Sequence, residues 1–266
     1  MSNIPGLSMM LGRVKPPPKI VTFTGNAIDV NMRAVFNSWY PAALVPGDTA
    51  VMIINPGVYI GASSTGAWAL QPGGWPEVNG AAGAATLTLI IYGRIQGAGG
   101  QGGGTNSNGG LGGGGAIYMD RAMNIVANGA QIFGGGGGGG NSQLINGGTQ
   151  FNGGGGCGYV PGPAGGPGPP GDGWWIMGQD GTTENGGTGF RTTLDPNCRI
   201  GDGGGPGQAG TTAYSNAPGY YYDFAGGPAG WAVYGWGNCS FGNWDGTNNQ
   251  FIYTGAHNAD IRGGLA

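Results

Sequence analysis

Charge is the scarcest property of this chain: Asp, Glu, Lys and Arg make up 8% of its 266 residues, against a usual ~25%. The only lysines are Lys15 and Lys19, the seven arginines are scattered, and the formal net charge is −3. No basic patch is available to neutralise phosphates, which excludes nucleic acid as a partner. One histidine, His257, and three cysteines, Cys157, Cys198 and Cys239, supply neither a zinc-ligand spacing nor a disulfide framework, so buried free thiols are expected. Apolar runs such as Val51 to Ile54 and Leu87 to Tyr92 fall far below the ~20 residues that cross a bilayer. Met1 to Gly12 lacks the basic start and long apolar core of a secretory signal. A soluble chain, not inserted in a membrane, is the expectation. No lysine follows Lys19, so there is no phosphate-cradling GxxxxGK[ST] loop, and GxGxxG matches inside glycine runs carry no weight without a strand, a helix start and a downstream acid. Asp180 and Glu184 are close in sequence, but a glycosidase needs carboxylates opposed at ~5–10 Å, and these read as polar loop residues. His257 lies in a polar tail and completes no nucleophile triad. Neither an enzyme nor a cofactor or metal is implied.

What the chain has in excess is glycine. Fifty-six of its 67 glycines lie from Gly93 onward, in runs such as Gly112 to Gly115, Gly134 to Gly140 and Gly153 to Gly156. Glycine loses more backbone entropy on folding than any other residue, ~0.5–1 kcal/mol relative to alanine. Such clustering therefore marks either a flexible linker or a structure that only glycine allows. A linker is serine-rich and poor in aromatics. Here the runs are interleaved with Trp174, Trp175, Tyr220, Tyr221, Tyr222, Phe224, Trp231, Tyr234, Trp236, Phe241 and Trp244, which need burial or a partner. A collagen repeat holds only from Gly162 to Gly173 and is broken elsewhere, as in Gly134 to Gly140. Both patterns suit an extended three-residue helix, and a bare glycine version can exchange backbone hydrogen bonds with neighbours on all sides. The predicted fold is therefore mostly irregular and β, a polyglycine II helix bundle with short covering strands, preceded by a small α+β attachment domain.

Along the chain, Ile20 to Phe23 predicts a strand. Asn26 reads as an N-cap, with a helix over Ala27 to Tyr40 ended by Pro41. Strands are expected at Ala50 to Asn55, Gly57 to Gly61 and Ala85 to Tyr92, and brief covering strands at Ala116 to Met119 and Met123 to Val126. Leu194 and Ile200 offer further cover, and Gly186 to Gly189 a short glycine helix. The division falls at 1–96 and 97–266. The apolar strip Ile4, Leu7, Met9, Met10 and Leu11 ahead of Pro16 to Pro18 reads either as a docking segment or as a terminus buried on its own domain.

Ile4-Pro5-Gly6, LIIYGRIQGAGG at Leu89 to Gly100, and the alternation of glycine runs with aromatic segments resemble the receptor-recognising adhesins at the distal tip of long tail fibres in T-even-type bacteriophages. GVYIGASS at Gly57 to Ser64 and GRIQGAGGQGGG at Gly93 to Gly104 also resemble glycine-rich modules of other phage tail proteins. The resemblance implies an N-terminal domain, 1–96, seated on a trimeric tail-fibre protein, for which Ile4, Leu7, Met9, Met10 and Leu11 are the fibre-docking candidates. It further implies a glycine-rich domain, 97–266, whose loops bind a bacterial outer-membrane protein or lipopolysaccharide. Loop variation leaves such a core undisturbed, and aromatic loops supply rigid contact area at low entropic cost. The receptor-contact candidates are Trp174, Trp175, Tyr220, Tyr221, Tyr222, Trp236 and Trp244. The alternative is a structural or ice-binding polyglycine II protein. Its flat periodic array of small residues is missing, since the threonines pair as Thr182 with Thr183 and Thr192 with Thr193.

Overall fold

The computed structural model describes residues 16–79, 83–104, 109–144, 150–165, 175–176, 178–189, 198–215, 221–248, 250–255 and 259–266. Short apolar segments separated by turns pair in parallel and wind into successive coils, each coil contributing a strand to each of three sheets. The first coil is β1 (Lys19–Phe23), β2 (Ala27–Ile28) and β3 (Val30–Asn31), followed by α1 (Met32–Trp39). The second is β4 (Thr49–Ile54), β5 (Tyr59–Gly61) and β6 (Trp68–Gln71), and the third is β7 (Thr86–Ile91), β8 (Arg94–Gln96) and β9 (Gly115–Tyr118). The fourth starts with β10 (Met123–Val126) and β11 (Gln131–Phe133). It then departs through β12 (Ser142–Leu144), β13 (Gln150–Phe151), β14 (Trp175–Ile176), β15 (Cys198–Arg199), β16 (Tyr214–Ser215) and β17 (Tyr221–Asp223), and returns as β18 (Trp231–Tyr234). The last coil is β19 (Cys239–Asp245), the hairpin strand β20 (Gln250–Tyr253), β21 (Asp260–Arg262) and β22 (Gly264–Leu265).

Strand order is β1-β4-β7-β10-β19-β20 in the first sheet, β2-β5-β8-β11-β21 in the second and β3-β6-β9-β18-β22 in the third. Register stacks like on like. Val21, Met52, Leu89, Ile125 and Phe241 form one row. Ala27, Ile60, Ile95, Ile132 and Ile261 form a second. Val30, Leu70, Ile117, Val233 and Leu265 form a third. Members of all three rows belong to one buried cluster. Strands of the first sheet are apolar on their other side too, where Val51, Ile90 and Val126 pack with Trp244 and Phe251, as parallel strands covered on both faces require.

The expected polyglycine II bundle behind a small α+β domain is overturned by this architecture. Parallel sheets run through the chain from β1 to β22, and α1 is a short helix of eight residues. The physical reason is burial: glycine removes no side-chain area from water, whereas each Ile, Leu or Val in the rows contributes ~1.5–3 kcal/mol when buried. The rows therefore organise the fold. The segments expected merely to cover a bundle, at Ala116 to Met119 and Met123 to Val126, are β9 and β10 within the third and first sheets. The predicted helix over Ala27 to Tyr40 is shorter, because Asp29 takes a positive φ of 49° between β2 and β3. Asn31, not Asn26, caps the helix, its Oδ1 accepting from the Ala34 N–H at 3.1 Å. Asn26 Oδ1 instead accepts from the Tyr59 N–H at 2.9 Å. Met32 and Phe36 bury one face of α1, and Phe36 meets the ring of buried Trp75 at 5.1 Å. Among the described residues, no helix is long and apolar enough to cross a membrane.

Candidate functional site

The glycine runs lie in two excursions, 97–114 between β8 and β9 and 134–230 between β11 and β18. Both leave the second sheet and rejoin the third. The described glycine runs form neither helix nor strand apart from strand ends, and Gly186 to Gly189, expected as a short helix, is likewise in neither. Hydrogen bonds pass between segments, and each neighbour recurs every third residue. Gly100 and Gly103 donate to Gly136 and Gly139 at 2.8 Å, while Gly136 and Gly139 donate to Cys157 and Gly154 at 2.8 Å. Gly135 and Gly138 donate to Gly114 and Leu111 at 2.9 Å, and Gly137 and Gly140 to Gln208 and Thr211 at 3.0 and 2.9 Å. The central run is thus bonded in several directions at once, which satisfies backbone groups that no side chain could reach. A Cβ on Gly136, Gly137 or Gly139 would stand 2.0 Å from the carbonyl oxygen of Gly204, Gly227 or Gly201.

At the end of that run the chain enters a four-stranded sheet of order β14-β13-β12-β17. Gln143 is in register with Tyr222 and Leu144 with Tyr221, while Gln150 pairs with Trp175. Three of the predicted contact residues, Trp175, Tyr221 and Tyr222, are therefore gathered into one sheet although they come from separate parts of the chain. Polar side chains tie this sheet to the glycine segments and its strands to one another. Asn141 Nδ2 donates to Gly104 O at 2.9 Å, Asn152 Nδ2 to Gly165 O at 3.0 Å, and Ser142 Oγ to Asp223 at 2.8 Å. Sequence reasoning missed these three residues. For Asn141 and Asn152, the position immediately after or before a glycine run was the available signal.

Trp236 and Trp244 are placed elsewhere, just before and within the last coil. Trp236 lies in a 3-10 turn with its ring 4.6 Å from that of Phe241, packed against the main core. Trp244 is half-buried in β19 beside Val51, Ile90 and Val126. Trp174, Tyr220, Ile4, Leu7, Met9, Met10 and Leu11 lie outside the described residues. A second aromatic group, unforeseen as a unit, occupies the third sheet. Trp68, Tyr118 and Tyr234 stand within 5.9 Å of one another, and Trp231 is 6.1 Å from Tyr234. Tyr234 and Trp231 are exposed. Burial pushes the Cys157 thiol up to about 11 and the Cys239 thiol to about 12, so both stay protonated and unreactive at neutral pH.

Backbone-paired glycine segments leading into a sheet whose strands include Trp175, Tyr221 and Tyr222 suit a binding protein. The comparisons make this specific: the chain belongs to the family of the phage tail fibre adhesin Gp38, whose model matches residues 18–265. It is an adhesin of the phage virion rather than an enzyme, which also displaces the structural or ice-binding alternative. Among solved structures it is similar to the crystal structure of the gp37-gp38 adhesin tip complex of the bacteriophage S16 long tail fiber. That match has 26% identity and a TM-score of 0.52 over 81% of this chain and 75% of that one. A search of curated proteins found no match.

Proposed function

We propose that this chain sits at the distal tip of a tail fibre and binds an outer-membrane protein or lipopolysaccharide of its bacterial host through loops between the glycine segments. The observation that carries the reading is the sheet that brings Trp175, Tyr221 and Tyr222 together beyond the glycine runs. Trp174 and Tyr220 adjoin these residues in sequence and belong to the same surface in this proposal. Trp236 and Trp244 are secondary contacts, since both are already half-buried by their own coil. The expected division of labour, attachment by 1–96 and receptor contact by 97–266, holds in the proposal as a division of function.

Attachment to a trimeric fibre protein falls to the first coil. Its strands form one edge of each sheet, and Ile28, Trp39 and Val45 are exposed at 53%, 66% and 57%. Ile4, Leu7, Met9, Met10 and Leu11 precede this coil in sequence and are assigned to attachment in the same proposal. The similarity to a solved adhesin tip complex with a fibre protein supports this assignment.

The test is adsorption of labelled protein to a panel of Gram-negative strains, with Trp175→Ala, Tyr221→Ala and Tyr222→Ala combined in a second preparation. Selective binding by the parent that competes with phage, and at least a tenfold loss in the folded variant, is the expected result. Undiminished binding by the variant would move the contact surface away from this sheet.

A further inference from the structure

We infer that Arg94, assisted by Gln96, is a positioning residue that clamps the turn 182–185 onto the second sheet and so sets the direction in which the large excursion carries its recognition sheet. The inference rests on the adhesin reading above. Arg94 opens β8 and is 4% exposed. Its guanidinium lies 5.7 Å from the Tyr59 ring and 4.8 Å from the Phe133 ring, and Arg262 stands 4.9 Å from that same Phe133 ring. Nη2 donates to the Thr183 carbonyl at 2.9 Å, and Nη1 bonds the Glu184 carboxylate. Gln96 Nε2 donates to the same Thr183 carbonyl, also at 2.9 Å.

The turn that receives these bonds is closed by hydrogen bonds of its own. Thr182 Oγ1 accepts from the N–H groups of Glu184 and Asn185 at 3.2 and 2.8 Å, and Thr182 N–H donates to Asn185 O at 2.8 Å. From it two arms run outward, joined by the Gln179 N–H to Thr188 O bond at 2.9 Å. They grip the glycine segments through Gly155 N–H to Gln179 O at 3.0 Å and Gly187 N–H to Gly155 O at 2.7 Å. In sequence the first arm follows directly on β14, which carries Trp175. A fixed turn at one end therefore constrains a strand of the aromatic sheet at the other.

Stability of the coil does not call for an arginine at this place. A nearly buried cation with a second cation across the same ring is costly, and an apolar residue of similar volume commonly serves as well or better. Its planar fork fits two acceptors held at fixed angles, here the Thr183 carbonyl and the Glu184 carboxylate, which a lysine cannot match. That specificity is what orienting a separate element requires.

The test uses the full chain with Arg94→Met, Arg94→Lys and Glu184→Gln. Amide hydrogen exchange is read over 179–188, thermal unfolding is measured for the whole protein, and adsorption is scored on a strain bound by the parent. Arg94→Met should raise exchange in 179–188 by about ten- to hundredfold, the loss expected for one or two charge-assisted hydrogen bonds. Exchange in β4, β7 and β10 should stay unchanged while adsorption falls at least tenfold. Arg94→Lys should not restore either readout. Glu184 is 59% exposed, so Glu184→Gln keeps the test decisive if the Arg94 variants fail to fold. Unchanged exchange in 179–188 overturns the clamp. Raised exchange with undiminished adsorption overturns the positioning role. If the parent binds no strain, the adhesin reading fails and exchange alone judges the clamp.

Discussion

A single added methyl group separates the glycines that the structure requires from those it merely tolerates. A Cβ on Gly137 would lie 2.0 Å from Gly227 O, inside any real contact, whereas one on Gly246 meets nothing within 4 Å. Gly137→Ala should therefore cost more than the ~1–3 kcal/mol of ordinary overpacking and lower the melting midpoint by at least about 5 °C. Gly246→Ala should be neutral within ~0.5 kcal/mol in the same thermal scan. Composition shows the excess of glycine but not this distinction, which depends on the neighbour across the gap. Asp48 gives a pH prediction. The 2.6 Å hydrogen bond from Lys19 holds its carboxyl below the usual range. A lowered folded value means the contribution is complete above the unfolded value of ~3.9 and is lost as pH falls through the folded one. Asp48→Asn should cost roughly 1.5–3 kcal/mol at pH 7, and the gap to the parent should close on titration below pH ~4 in chemical denaturation. The thiols of Cys157 and Cys239 should resist alkylation at pH 8 in the folded protein and react once it is denatured.

At the scale of elements, the rows of apolar residues carry the stability. Ile95 is fully buried between Ile60 and Ile132, and Ile95→Ala should cost about 2–5 kcal/mol by denaturant titration. Asn31→Ala removes the cap of α1 and should cost ~1 kcal/mol. Several elements were legible: β1, β4, β5, β7 and β10 fall where alternation or a short apolar run predicts a strand. The helix start was misplaced because Asn26 and Asn31 both fit a cap. What separates them is the pairing of β2 and β3 with β5 and β6, a tertiary choice. Strands β12 to β17 are two or three residues long, too short to leave a period. Of the candidate site, Trp175, Tyr221 and Tyr222 were found as aromatics, but their common sheet was invisible because its members are separated by long stretches of chain. Asn141, Ser142 and Asn152 were missed because polar residues beside glycine usually signal a solvated loop.

For the molecule as a whole, each excursion begins and ends at nearly the same point. Gly114 N–H donates to Ala98 O at 2.7 Å, and Gly230 N–H donates to Gly135 O at 2.8 Å. The coil is therefore continuous in space where the sequence is interrupted. A chain in which 99–113 and 136–229 are each replaced by a short turn should keep its β-rich circular dichroism, retain fibre attachment and lose adsorption to cells. Failure of that chain to fold would show that the glycine segments are part of the coil's stability.

Read in order, the residues alone already carry the short apolar strands of the early coils, the need for glycine in long runs and the likeness to tail-fibre adhesins, because all three are local in sequence. They point to glycine as the organising principle, since nothing in a glycine run refers to the strands on either side of it. The fold settles otherwise because parallel pairing is non-local. Ile125 stacks on Phe241, and Ile117 on Val233, contacts across more than a hundred residues that no window along the chain reveals. Burial of those rows keeps the coil continuous across the excursions, whose glycine segments lead into the strands of Trp175, Tyr221 and Tyr222.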